Sequence, residues 1–210
     1  MNSLDEQQNE MGVSSVTVPN QGEPITFTFN RYLEADGLNK EISFNSNSST
    51  SQLFTASRAS GSFGDISFLG RLSDHFQGKI NYLVVTPNGS NDYSIGDADA
   101  VWNGNGYRAS EAKFTVSREC ILKSITFKSR VSRFKVTITS SNGGFEGDKT
   151  INDQTKHFTT DMYLVPDTEY TLKFENPSTT FNMPSKANGT YGPITFTRGY
   201  YQGTMSIIEV

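Results

Sequence analysis

The chain has 210 residues, enough for one large β domain or two small ones. Its apolar share of 34% is low, but 15 Phe and 9 Tyr offset this, since each aromatic side chain buries roughly 150–250 Å². A net charge of −4, with no basic run, excludes the positive face that a nucleic-acid partner requires.

Cys120 is the only cysteine, so no intrachain disulfide and no cysteine-based metal cage can form. The longest clean apolar run, residues 82–85, is far short of the roughly 20 residues that span a bilayer. Met1 is followed by NSLDEQQNEMG, which lacks the basic start and apolar core of a signal peptide. This leaves a cytosolic or virion-borne protein, or a chain numbered from after a leader.

In chain order, residues 1–12 are polar and acidic and read as a flexible lead-in. Residues 13–18 alternate, 19–22 form a turn, and Ile25, Phe27 and Phe29 alternate with Thr26, Thr28 and Asn30 as a strand. Residues 31–40 carry the one helical turn, and 45–52 are a Ser/Asn-rich loop. Strands are expected at 53–56, 65–72 and 79–86, before a loop-rich stretch at 92–107 that holds the lone Trp102. Further strands are expected at 113–116, 121–127, 133–140, 158–165, 170–175, 194–197 and 203–210. In 133–140, Phe134, Val136 and Ile138 fall on one face and Arg133, Lys135, Thr137 and Thr139 on the other. About a dozen short strands with no amphipathic helix indicate an all-β sandwich or barrel. The basic stretch 128–133 reads as a solvated turn. A division near residues 117–120 gives domains at 13–118 and 119–210.

Catalytic signals are scarce. His75 and His157 form no HxxxH or HxH pair and read as surface loop histidines, and no GxSxG elbow is present. Asp92, Asp97, Asp99, Asn103 and Asn105 make an oxygen-rich loop, but its spacing matches no EF-hand. No catalytic residue, metal or cofactor is expected. Trp102, with Gly104, Gly106 and Tyr107, has the composition of a sugar-stacking loop, although core packing is the other role of a lone Trp. Tyr191, Tyr200 and Tyr201 offer a second aromatic patch. Asn47, Asn88 and Asn188 begin N-x-Ser/Thr triplets, which mark exposed loops.

Several stretches resemble the fimbrillin family of Bacteroidetes surface proteins. SGSFGDISFLGRL (60–72) and INYLVVTPNGS (80–90) are similar to its strand followed by a tyrosine-then-proline strand. ITFKSRVSRFKVTITSSNG (125–143) resembles its mid-chain segment, and MYLVPDTEYTLKFE (162–175) its valine-proline-then-tyrosine strand pair. ITFTRGYYQGTMSIIEV (194–210) resembles its closing strands. The resemblance implies two small antiparallel transthyretin-like β-sandwich domains in tandem. It also implies an outer-membrane lipoprotein of the cell surface, used in adhesion and in fimbriae (pili). Subunits of that kind polymerise when an arginine-specific protease removes a strand and a neighbour's strand fills the groove.

On that reading the donor strand is 203–210, with Met205, Ile207, Ile208 and Val210 apolar, and Arg31 and Arg58 are the processing arginines. The other reading of 203–210 is an ordinary last strand of its own domain. The expected partners are other fimbrial subunits, or a host or glycan surface. The alternatives are a carbohydrate-binding sandwich using Trp102 and Tyr107, and a phage or virion decoration protein.

Overall fold

The computed structural model describes residues 2–5, 10–13, 32–33, 40–43, 60–63, 66–69, 80, 83–182 and 186–210. The described residues form an all-β protein of two compact units. One unit joins Met1–Ser43 to Thr86–Val210, and the other is Phe44–Val85. Strands β1 (Asn2–Asp5), β2 (Glu10–Val13) and β3 (Lys40–Ser43) make a small antiparallel sheet in the order β2-β1-β3. In the second unit, β4 (Ser60–Phe63) and β5 (Ile66–Leu69) form a hairpin.

The sandwich occupies the rest of the first unit. Its strands are β6 (Ser90–Ile95), β7 (Val101–Tyr107), β8 (Ala109–Val116), β9 (Cys120–Ser129), β10 (Arg133–Ser140) and β11 (Gly143–Thr150). They are followed by β12 (Thr155–Leu164), β13 (Tyr170–Glu175), β14 (Phe181–Asn182), β15 (Gly189–Tyr191), β16 (Ile194–Gly199) and β17 (Gly203–Glu209). One sheet runs β11-β10-β13-β8-β16-β15. The other runs β14-β7-β9-β17-β6, with β12 also paired to β9.

Period-2 alternation accounts for the first sheet. Phe134, Val136 and Ile138 of β10, Leu172 and Phe174 of β13, and Ala112 and Phe114 of β8 turn inward and are buried. The opposite face carries charge. Arg133 grips both carboxylate oxygens of Asp148 at 3.0 and 2.8 Å, and Lys135 meets Glu146 at 2.8 Å. Lys173 meets Glu175 at 2.7 Å on the same strand. The Arg133 hydrogen bonds hold the Asp148 carboxyl below its ordinary range. A sheet with one apolar and one self-neutralised face belongs at a wetted surface. The bonded Arg133 is the end of the basic turn, and Lys128 at its start pairs with Asp99 at 2.6 Å.

Strand β9 breaks its own alternation, and the break has a structural cause. In CILKSITF, Leu122 and Ile125 both face the core three positions apart. The register of β9 against β17 and against β12 shifts around Lys123. Such a bulge absorbs one residue and re-aims its side chain. Lys123 leaves the core side and pairs with Asp161 at 2.9 Å, at the matching irregularity of β12. Asp161 takes φ 44°, which is uncommon for a residue with a Cβ.

The turn from β12 to β13 is tied by one hydroxyl. Tyr170 is fully buried, and the Val165 N–H donates to its hydroxyl at 2.8 Å. Tyr170→Phe keeps the ring and orphans that donor, so a loss of about 1–2 kcal/mol is expected in urea unfolding.

Three expectations change. The division near 118 falls inside the sandwich, because β8, before it, is hydrogen bonded between β13 and β16, after it. Strands β6 and β7 likewise join the sheet of β9 and β17. Residues 125–140 therefore pass from one sheet to the other within one sandwich, not between two. The loop expected at 92–107 contains two strands, and β11 forms in a stretch for which no element was expected. Gly106 explains part of this: a Cβ there would collide with the Phe181 carbonyl of β14, so only glycine allows the approach. The strand expected at 79–86 is not formed over 83–86, which joins no ladder among the described residues. The expected elements at 14–31, 34–39 and 53–56 lie outside the described residues.

Candidate functional site

The closing strand is the first candidate. β17 is hydrogen bonded on both edges, to β9 and to β6. Met205 and Ile207 are fully buried, while Ile208 and Val210 are half-buried. The strand thus fills a central place in its own sheet, and donating it would mean withdrawing it from two ladders and from the core. Arg31 and Arg58, the processing candidates, lie outside the described residues, as do His75 and Asn47.

Trp102 and Tyr107 do not make a common face. Trp102 is 0% exposed, stacked on Phe127 at 4.1 Å between ring centroids and meeting Phe134 and Phe174 edge-on. Tyr107, five residues along the same strand, is 77% exposed. Alternation explains the split: odd spacing places the two on opposite faces. The sugar-stacking reading of Trp102 is therefore corrected to a core role.

The oxygen-rich loop spends its groups internally. Asp99 pairs with Lys128 and its carboxyl is held below the ordinary value, and Asp97 Oδ1 accepts the Asp99 N–H at 3.2 Å. The Asp97 carbonyl accepts from the Ala100 N–H at 3.0 Å and from the Gln202 side-chain amide. Among the described residues no three His, Cys, Asp or Glu side chains converge to hold a metal. His157 is exposed, with Nδ1 at 2.9 Å from the Thr126 hydroxyl.

Cys120 is fully buried, and burial pushes its thiol up from 9.0 to about 12. A reactive cysteine needs the opposite shift. The unfolded chain ionises near 9 and the folded one near 12, so the folded state binds the extra proton between them. This stability is fully present below pH 9 and is lost as pH rises towards 12, at up to about 1.4 kcal/mol per pH unit. Melting temperature is expected to fall steeply from pH 9 to 10, and less steeply in Cys120→Ala. A thiol-reactive dye is expected to label Cys120 only after denaturation.

The terminal tyrosines divide. Tyr201 is fully buried between Phe174 and Phe196, and its hydroxyl donates to the Thr204 carbonyl at 3.1 Å. Tyr191 donates to the Asn188 carbonyl at 3.1 Å. Tyr200 alone is 44% exposed, and it lines a cleft of about 260 Å³ with Lys186, Asn188, Thr197 and Arg198. Sequence reasoning singled out the tyrosine, and Asn188 only as the start of an exposed-loop triplet.

The cleft owes its shape to a second bulge. The register of β16 against β8 shifts between Phe196 and Arg198, so Thr197 and Arg198 are both exposed. Gly199 follows with φ 99°, and a Cβ there would collide with the Glu111 carbonyl. The Ala187 N–H donates to the Gly199 carbonyl and the Tyr200 N–H to the Glu111 carbonyl, each at 3.0 Å. A bridge pairs Lys186 with Tyr200.

One sheet edge lacks a second partner strand among the described residues. Among the described residues β6 pairs with β17 alone. The segment that precedes it in the chain exposes Leu83 by 68% and Val84 by 70%. Among the described residues no helix is long and apolar enough to cross a membrane. In comparison with known proteins, no family model, no curated protein and no solved structure matches the chain.

Proposed function

We propose that this chain is a non-enzymatic structural or adhesive protein of the cell surface, related to the fimbrillins and assembling by strand addition. Its sandwich is then one transthyretin-like module of such a subunit, and its partners are other subunits of an outer-membrane fimbrium. The observation that carries the reading is the edge strand β6, which among the described residues pairs with β17 alone. β6 leaves one row of backbone donors and acceptors unpaired among the described residues, and in the other compact unit Leu83 and Val84 are exposed. An unblunted edge is a template for a foreign strand, and alternate apolar side chains give such a strand its grip. Because β17 already serves its own sheet, the strand that is exchanged is drawn from the residues before β6 instead.

The test is assembly. Purified protein is treated with an arginine-specific protease and followed by size-exclusion chromatography and negative-stain microscopy. The expected result is conversion of monomer to filaments or ladders of oligomers, abolished by Leu83→Asp with Val84→Asp. A chain that stays monomeric at every concentration would end the polymerising reading.

A further inference from the structure

We infer that the cleft between the bridge at Lys186 and the bulge of β16 binds the carboxylate of an acidic sugar, with one ring of the sugar resting on Tyr200. The two cations of the cleft stand on a backbone that cannot easily move. Lys186 is held opposite Tyr200 by a bridge, and Arg198 sits between the bulged Thr197 and Gly199. Only glycine fits at 199, so the turn that presents Arg198 is fixed by close packing on Glu111 and by two backbone hydrogen bonds. Bulges that re-aim a side chain recur beside binding sites.

The charge of the cleft selects the ligand. Among the described residues no carboxylate lines it, in a chain whose net charge is −4. Glu111 lies 3.7 Å from Arg198, and the two side chains remain 49% and 66% exposed. An ion pair that exposed is worth about 0–1 kcal/mol, so it leaves the guanidinium free to exchange partners. A planar guanidinium matches a carboxylate with two parallel hydrogen bonds, and Lys186 adds a second positive charge. A neutral sugar would leave both cations unused.

Size and polarity narrow the class further. About 260 Å³ is just below the roughly 300–1,000 Å³ of drug-sized sites, which suits a single ring. The exposed face of Tyr200 offers apolar area to the C–H face of a pyranose, which a bare anion would not use. The Thr197 hydroxyl donates to the Lys113 carbonyl at 3.2 Å and keeps its lone pairs for a sugar hydroxyl. Asn188, exposed at the rim, supplies both a donor and an acceptor. This inference stands apart from the assembly reading, since a monosaccharide binds in solution whether or not the chain polymerises.

The experiment titrates the intact chain with glucuronate, glucose and acetate, followed by calorimetry and by amide chemical shifts. Glucuronate is expected to bind at least about tenfold more tightly than glucose or acetate, with affinity falling from about 20 mM to about 500 mM salt. Arg198→Ala and Tyr200→Ala are each expected to weaken it about tenfold, and Arg198→Lys to restore only part of the loss. Both side chains are exposed, so unchanged melting temperatures show that the variants are folded. Equal binding of glucose, equal binding of acetate, parent-like binding by Arg198→Ala, or no binding of glucuronate would each overturn the proposal.

Discussion

Trp102→Ala is expected to lower stability by about 3–5 kcal/mol, the cost of removing a large aromatic side chain from a packed core. A domain of ordinary stability has only about 5–15 kcal/mol in total, so the variant is expected to be barely folded at room temperature. The size of the effect follows from what surrounds the indole. It stacks on Phe127 with a 12° tilt and on Phe181 at 6.0 Å, and it receives the edges of Phe134 and Phe174. Those four rings come from both sheets, so the indole bridges the two layers. Its Nε1–H finds no acceptor among the described residues, and Trp102→Phe therefore loses packing alone and costs clearly less. Urea unfolding followed by circular dichroism gives both values. A Trp102→Ala variant as stable as the parent that failed only in sugar binding would restore the exposed-stacking reading.

Deleting residues 203–210 is expected to abolish cooperative folding. The deletion strips β9 of one ladder, leaves β6 without its partner among the described residues, and removes Met205 and Ile207 from the core. Each of those side chains contributes about 1.5–3 kcal/mol by burial alone. Point variants resolve the two faces of the strand. Ile207→Ala is expected to cost about 2–5 kcal/mol, and Ile208→Ala, half-buried on the opposite face, distinctly less. A strand held in reserve for a neighbour would behave otherwise: its removal would leave a folded domain with an open groove. Thermal melts of the deletion variant separate the two cases without any binding partner.

Much of the fold was legible wherever alternation was clean. β10 and β13 have the limits that period 2 assigns them, because each alternates a mainly apolar face with a polar one. β7 was not legible, since its glycines and asparagines read as a loop, and β11, with three glycines in eight residues, has no clean alternation. Their glycines instead serve close approach, as Gly106 does against Phe181. The division near 118 failed for a related reason. The turn between β8 and β9 carries the chain from one sheet to the other, and such a crossing has the same polar composition as a linker. Trp102 was read both ways, and only its neighbours from β9, β10, β13 and β14 decide the matter. The cleft was illegible because Lys186 and Arg198 meet through a bridge and a bulge that no local period announces.

The place of the closing strand separates a domain that is complete in itself from one that lends its last strand. Native-state hydrogen exchange measures it directly. The amides of 204–208 are expected to be as strongly protected as those of 121–127 in β9, and to exchange only with global unfolding. Rapid exchange of 204–208 beside a protected β9 would contradict the account and return Met205, Ile207, Ile208 and Val210 to the role of a donor strand.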